Sequence, residues 1–107
     1  MREKNAKENP FEISIYDLDS KPKVDELFLI EEPLTEFLLK LVYFIERNLK
    51  KGEQETILVR KEIEMETEMT SLSVIKAIDE AVRRRFIAKR RVNYYWINPK
   101  LFYELKK

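Results

Sequence analysis

The stretch Thr70–Phe102, TSLSVIKAIDEAVRRRFIAKRRVNYYWINPKLF, decides how this chain is read. It opens on a helix signal over 71–85. Thr70 is a residue type whose hydroxyl accepts a bond from one of the unpaired amides at a helix start. Met69 before it and Val74 beyond it can close as a hydrophobic staple, which sets the angle at which the chain comes into the helix. At about 100° per residue, Val74, Ile78, Ala81 and Val82 fall into one buried stripe with Ile75 at its edge. Lys76, Glu80 and Arg83 fall on the opposite face, flanked by Ser73 and Arg84. Ile87 to Ile97 reads as a hairpin turning near Val92-Asn93. Tyr94 and Trp96 share one face of its returning strand, Tyr95 and Ile97 the other. Asn98 can cap a closing helix, Pro99 suits the first helical position, and Ile97 can staple to Phe102. This closing segment, 98–106, is expected to seat Leu101, Phe102 and Leu105 on the core.

Charge singles out the same third of the chain. Residues 1–69 carry 17 acidic and 11 basic side chains, whereas residues 70–107 carry 3 and 10. The whole-chain net of +1 conceals this division. The cations cluster as Arg83-Arg84-Arg85 and Lys89-Arg90-Arg91. A local basic patch is the electrostatic footprint of a nucleic-acid contact, whatever the total charge.

Upstream, residues 1–10 are polar and mixed in charge and read as a flexible tail. Phe11 to Tyr16 alternates apolar and polar and predicts a half-buried strand. Val24 to Ile30, after a loop containing Pro22, is ambiguous and is read as a second strand that could pair with it, within the chain or between chains. Pro33 marks the start of a long helix, 33–51, with Leu34, Phe37, Leu38, Leu41, Ile45 and Leu49 on its apolar stripe. Lys50 and Lys51 suit its C-terminus and Gly52 its left-handed stop. Leu39, Val42, Tyr43 and Phe44 widen the stripe almost all round, so the helix is central in the core, or shared with a second chain. Ile57-Leu58-Val59 is a short strand, and Arg60 to Met69 a short helix around Ile63. Glu62, Glu64, Glu66 and Glu68 read as solvated residues of that helix.

Composition bounds the chemistry. A chain of 107 residues is one small domain, with 44% hydrophobic and 38% charged residues, the latter well above the usual quarter or so. The chain has no Cys and no His. It therefore has no disulfide or thiolate site, and lacks the commonest general base and metal ligand. Gly52 alone cannot build a phosphate loop or a dinucleotide fingerprint. An enzyme is not expected, nor a cofactor, a metal or a small-molecule ligand. The longest apolar run, Phe37 to Ile45 interrupted by Lys40, is too short for a membrane span. The polar beginning is no signal peptide, so the expected location is cytoplasmic.

The order helix, tight turn, helix, basic hairpin predicts an α+β fold over 11–107. It is a winged helix-turn-helix with an additional N-terminal strand or hairpin over 11–30. The core helix spans 33–51, the helix-turn-helix 60–86, the wing 87–97 and the closing helix 98–106. Double-stranded DNA is the expected partner. Ser71 and Ser73 lie at the end of the recognition helix that usually reaches base edges. Lys76, Arg83 and Arg84 would meet bases or phosphates, and Lys89, Arg90 and Arg91 would track the backbone from the wing. A homodimer is expected, with two seams open: the edge strand Phe11 to Tyr16 and the helix around Leu38 to Phe44.

The stretch Ile63 to Phe102 resembles the winged helix of bacterial plasmid replication proteins of the RepL type. Thr70-Ser71-Leu72-Ser73-Val74, then Ile78, Ala81, Ile87 and Lys89-Arg90 carry the resemblance. The closing Trp96-Ile97-Asn98-Pro99-Lys100-Leu101-Phe102 is its most specific part. It implies origin recognition and initiation of plasmid copying by DNA binding. The chain departs from that pattern at Glu68 and Arg85, where glycine is common, and at Glu64, where a small residue is. A non-glycine residue at either glycine position would have to adopt a left-handed backbone, or the helix would end differently. A transcriptional repressor, or a winged helix whose basic patch meets an acidic protein, would use the same domain physics.

Overall fold

Thr35, Thr70 and Asn98 each turn a side-chain oxygen onto an amide at the start of a helix, as do serine, threonine and asparagine generally at this position. Asp25 does the same for Leu27 and Phe28. The structure, a computed structural model, describes residues 5–31 and 33–106. In chain order its elements are α1 (Glu26–Glu31), α2 (Glu36–Asn48), β1 (Glu55–Ile57), α3 (Arg60–Thr67), α4 (Ser71–Arg83), β2 (Ile87–Arg91), β3 (Tyr94–Ile97) and α5 (Pro99–Phe102). The architecture is α+β. α2, α3 and α4 pack on one another, and α4 also meets β2. The strands form an antiparallel sheet in the order β1-β3-β2. This arrangement is compatible with a winged helix.

The core gathers Leu38, Leu41, Val42 and Ile45 of α2, Ile63 of α3, and Val74, Ala77 and Ala81 of α4. Ile87, Ile97, Leu101 and Phe102 close it from the sheet side. The expected stripe of α4 is met at Val74 and Ala81. Ile78 and Val82 are only partly buried, and Ala77 completes the buried face. On β3, Tyr95 and Ile97 face the core as the alternation requires, leaving Tyr94 and Trp96 on the outer face.

The N-terminal third differs from expectation. Phe11 to Tyr16 is not a strand. Its amide at Tyr16 turns back to the Ile13 carbonyl, and Tyr16 makes only an isolated bridge with Leu105. The segment read as its partner contains α1 instead. Asp25 supplies the cap that starts this helix, and of its preceding residues Val24 is buried. Without a partner strand, the apolar alternation of 11–16 has no ladder to join. The strand seam for a dimer disappears with it.

The tail is also corrected. Residues 1–4 lie outside the described residues, but 5–10 are docked rather than loose. The Ala6 amide donates to the Lys89 carbonyl at 2.7 Å, and the Trp96 indole N–H donates to the Ala6 carbonyl at 2.8 Å. Asn9 reaches Gln54 at 3.3 Å. The segment thus crosses the outer face of the sheet from β2 towards β1.

All four expected helices are shorter than read: the two of the helix-turn-helix end at Thr67 and Arg83 rather than at 69 and 85. The long helix starts at Glu36 and ends at Asn48, because Thr35 rather than Pro33 provides the cap and Leu49 is already extended. Gly52 (φ 82°) serves the turn that follows, where the Glu53 amide donates to the Lys50 carbonyl. The closing helix stops at Phe102. Leu105 is therefore not seated on the core; it is 65% exposed.

Tyr103 follows α5 and is buried. Its hydroxyl donates to the Glu53 carbonyl at 2.6 Å. Burial first, and the Glu53 carboxylate second, push its phenol up to about 12, against a smaller opposing pull from a backbone hydrogen bond at Gly52. An unfolded tyrosine titrates near 10, roughly. Between these values the unfolded chain has lost a proton that the folded chain retains, so rising pH favours unfolding. Thermal melts of wild type should lose stability between about pH 10 and pH 12. Tyr103→Phe should lack that part of the slope. Parallel profiles for the two proteins would refute the assignment.

Candidate nucleic-acid interface

The segment between α3 and α4 consists of Glu68, Met69 and Thr70. Glu68 takes the left-handed backbone (φ 60°), which reverses the chain, and Met69 is buried beneath the turn. An L-residue pays for this conformation, at about 1–2 kcal/mol, where glycine would not. Arg85 (φ 60°) ends α4 in the same conformation. Glu68 and Arg85 thus both take the left-handed backbone although neither is glycine.

α4 presents an exposed ridge. Leu72, Ile75, Lys76, Asp79 and Arg83 are exposed along it. Lys76 and Arg83 form no ion pair among the described residues. The two serines are less available. Ser71 is half-buried. Ser73 is half-buried too, and its hydroxyl accepts from the Thr70 hydroxyl at 2.9 Å while its amide donates to the same Thr70 oxygen. Ser73 therefore belongs to the helix cap as much as to the ridge.

The remaining expected contacts divide. Arg84 pairs with Glu80 on its own helix at 3.0 Å. Arg90 pairs with Glu55 across the sheet at 2.6 Å, and its guanidinium lies over the Trp96 ring. Arg91 stacks on Tyr94, 4.0 Å from the ring centroid, beside an irregularity in the β2–β3 register between Lys89 and Arg91. Stacking leaves the outer edge of a guanidinium free to donate, and Arg91 is exposed. Lys89, opposite Tyr95, is half-buried and forms no ion pair among the described residues. Of the expected contacts, Lys76, Arg83, Lys89 and Arg91 thus hold charge that is free to meet a partner. Arg84 and Arg90 spend theirs within the fold.

Residues not singled out from the sequence also occupy this surface. Leu72 is 61% exposed and Ile75 41% exposed, so the ridge is partly apolar. Asp79 stands between Lys76 and Arg83 on the helix. Burial pushes the Tyr95 phenol above its ordinary value, and the Asp79 carboxylate adds to that shift. Its spacing, three residues after Lys76 and four before Arg83, already placed it on the exposed side. Glu62 and Glu66 on α3 and Glu68 in the turn after it are exposed, and Glu66 takes a salt bridge from Arg47 of α2 at 3.0 Å. Exposed carboxylates thus lie on both helices of the pair, Glu62 and Glu66 on α3 and Asp79 on α4, while Lys76 and Arg83 on α4 and Lys89 on the hairpin have no ion pair among the described residues. Comparison with family models, with curated proteins and with solved structures finds no match for this chain. No helix among the described residues is long and apolar enough to cross a membrane.

Proposed function

We propose that this protein binds double-stranded DNA sequence-specifically as a winged helix, with α4 in the major groove and the β2–β3 hairpin on the flanking backbone. The observation that carries the reading is the exposed ridge of α4. It bears unpaired Lys76 and Arg83 and is set beside a cation-bearing hairpin by a two-helix unit with a three-residue turn. A helix fits the major groove, which is about 12 Å wide. From Leu72 to Arg83 the ridge rises roughly 16 Å at 1.5 Å per residue. With the N-terminal end at base edges, Arg83 would therefore reach the groove wall, where the phosphates are. Asp79 accepts hydrogen bonds only, and suits a cytosine amino group rather than a phosphate. The resemblance of Trp96–Phe102 to RepL-type proteins favours a task in starting or controlling plasmid copying. The bound form is read as a homodimer, for which α2 offers exposed Phe37 and Leu39.

Selection from random duplexes at moderate salt tests this. An enriched site is expected, with affinity falling linearly in log–log form as salt rises. Lys76→Ala should change which bases are preferred, whereas Arg91→Ala should weaken all sequences alike. Exposed Leu72, Ile75 and Met65 favour a second reading, in which this face meets a protein. Absence of any enriched duplex, and of binding at low salt, would replace the first reading by the second.

A further inference from the structure

At the far end of α4 from its cap, Arg83, Arg85 and Lys89 line one cleft of about 430 Å³ with the docked segment at Ala6 and Pro10. No carboxylate is among its lining residues. None of the three cations forms an ion pair among the described residues. Nor are they needed to cap the helix. Arg84, Arg85 and Phe86 already donate their amides to the carbonyls of Glu80, Val82 and Ala81, the last two in the paired pattern that closes a helix through a left-handed residue.

Arg85 is that left-handed residue, at a position where glycine would be free of strain. Its backbone is held there: the Asn98 side-chain amide donates to the Arg85 carbonyl at 2.8 Å. Its guanidinium lies over the Phe11 ring, 5.6 Å from the centroid. The held backbone and the aromatic support position a planar donor on the lining of the cleft, where Arg83 and Lys89 add positive charge that favours an anion. Backbone strain of this kind concentrates where a side chain must be presented. A guanidinium presents paired donors that match the oxygens of a phosphate, and lysine adds a point charge.

We propose that the Arg83–Arg85–Lys89 cleft is a binding site for one backbone phosphate of the duplex, with Arg85 as its principal ligand. This rests on the DNA-binding reading and adds a residue and a contact to it. The phosphate lies beyond the groove wall reached by Arg83, on the strand next to β2, and fixes the register of α4 without reading sequence.

Arg85→Gly tests it, because glycine keeps the left-handed turn while removing the guanidinium. The variant should melt within a few degrees of wild type. Its affinity for every duplex should fall by a common factor of about tenfold, with the slope of log affinity against log salt reduced by about 0.9. The ranking of sequences should stay as it was. Ethylating single phosphates should reveal a position that blocks wild type and has no effect on the variant. If wild type binds duplex and Arg85→Gly binds as tightly with the same slope, the cleft is no phosphate site, although the DNA-binding reading stands. If wild type binds no duplex at any salt, both fail together.

Discussion

Replacing Lys76, Arg83 and Lys89 together by glutamate should cost at least a hundredfold in duplex affinity, about 3 kcal/mol, and lower the salt slope by at least about 1. The size follows from two contributions. Each cation that neutralises a phosphate releases condensed counterions, and each glutamate adds repulsion where attraction stood. The fold should survive, since none of the three has an ion pair among the described residues and surface changes of this kind usually shift stability by less than about 0.5 kcal/mol each. Arg84→Glu and Arg90→Glu are the contrast. They break the pairs with Glu80 and Glu55, so they should lower the melting temperature and affect binding less. Gel-shift titrations at three salt concentrations, with melts of each variant, separate the two groups. Wild-type affinity in the triple glutamate variant would remove the DNA-binding reading.

Phe102→Ala should cost about 3–5 kcal/mol, a large part of the roughly 5–15 kcal/mol that holds a domain together. Phe102 is the largest side chain with no exposure among the described residues. It sits on the short helix α5, and its carbonyl accepts the Lys23 amide at 3.0 Å, so the N-terminal segment is tied to the same spot. Truncation removes apolar area and leaves a cavity lined by neighbours that are themselves close-packed. At about 4–8 °C per kcal/mol for a domain of this size, the melting temperature should fall by more than roughly 12 °C. Leu105→Ala, three residues on, should be close to neutral because Leu105 is 65% exposed. Equal losses at the two positions would contradict the packing described for the closing helix.

The part of the fold read most faithfully from the sequence is the part governed by short-range chemistry. Thr70, Asn98 and Pro99 announce helix starts through hydrogen bonds and ring geometry that need only their immediate neighbours. The hairpin was legible because alternation at Tyr94–Ile97 and a turn at Val92-Asn93 point the same way, and Asn93 tolerates the left-handed backbone it adopts (φ 68°). The reading failed at 11–30 for a physical reason. An apolar alternation specifies a strand only if another strand is in reach, and Asp25 instead caps a helix over the intended partner. The cation at Arg90 shows the same limit. Its presence in the cluster is plain in the sequence, but pairing with Glu55 depends on which side chains the fold brings together, whereas the Arg84–Glu80 pair follows from a spacing of four along one helix.

The chain's own order of residues determined the helix caps, the hairpin, the central apolar helix and the gathering of positive charge in the last third. Each depends on periodicity or on neighbours a few positions away. Only the tertiary structure decided that Arg90 pairs with Glu55 and that the first described residues lie across the sheet. It also decided that Arg83, Arg85 and Lys89 open onto one cleft. Those outcomes join residues far apart in sequence or aim neighbouring ones at a common point. The energy that selects them comes from packing and charge in three dimensions, which linear spacing does not contain.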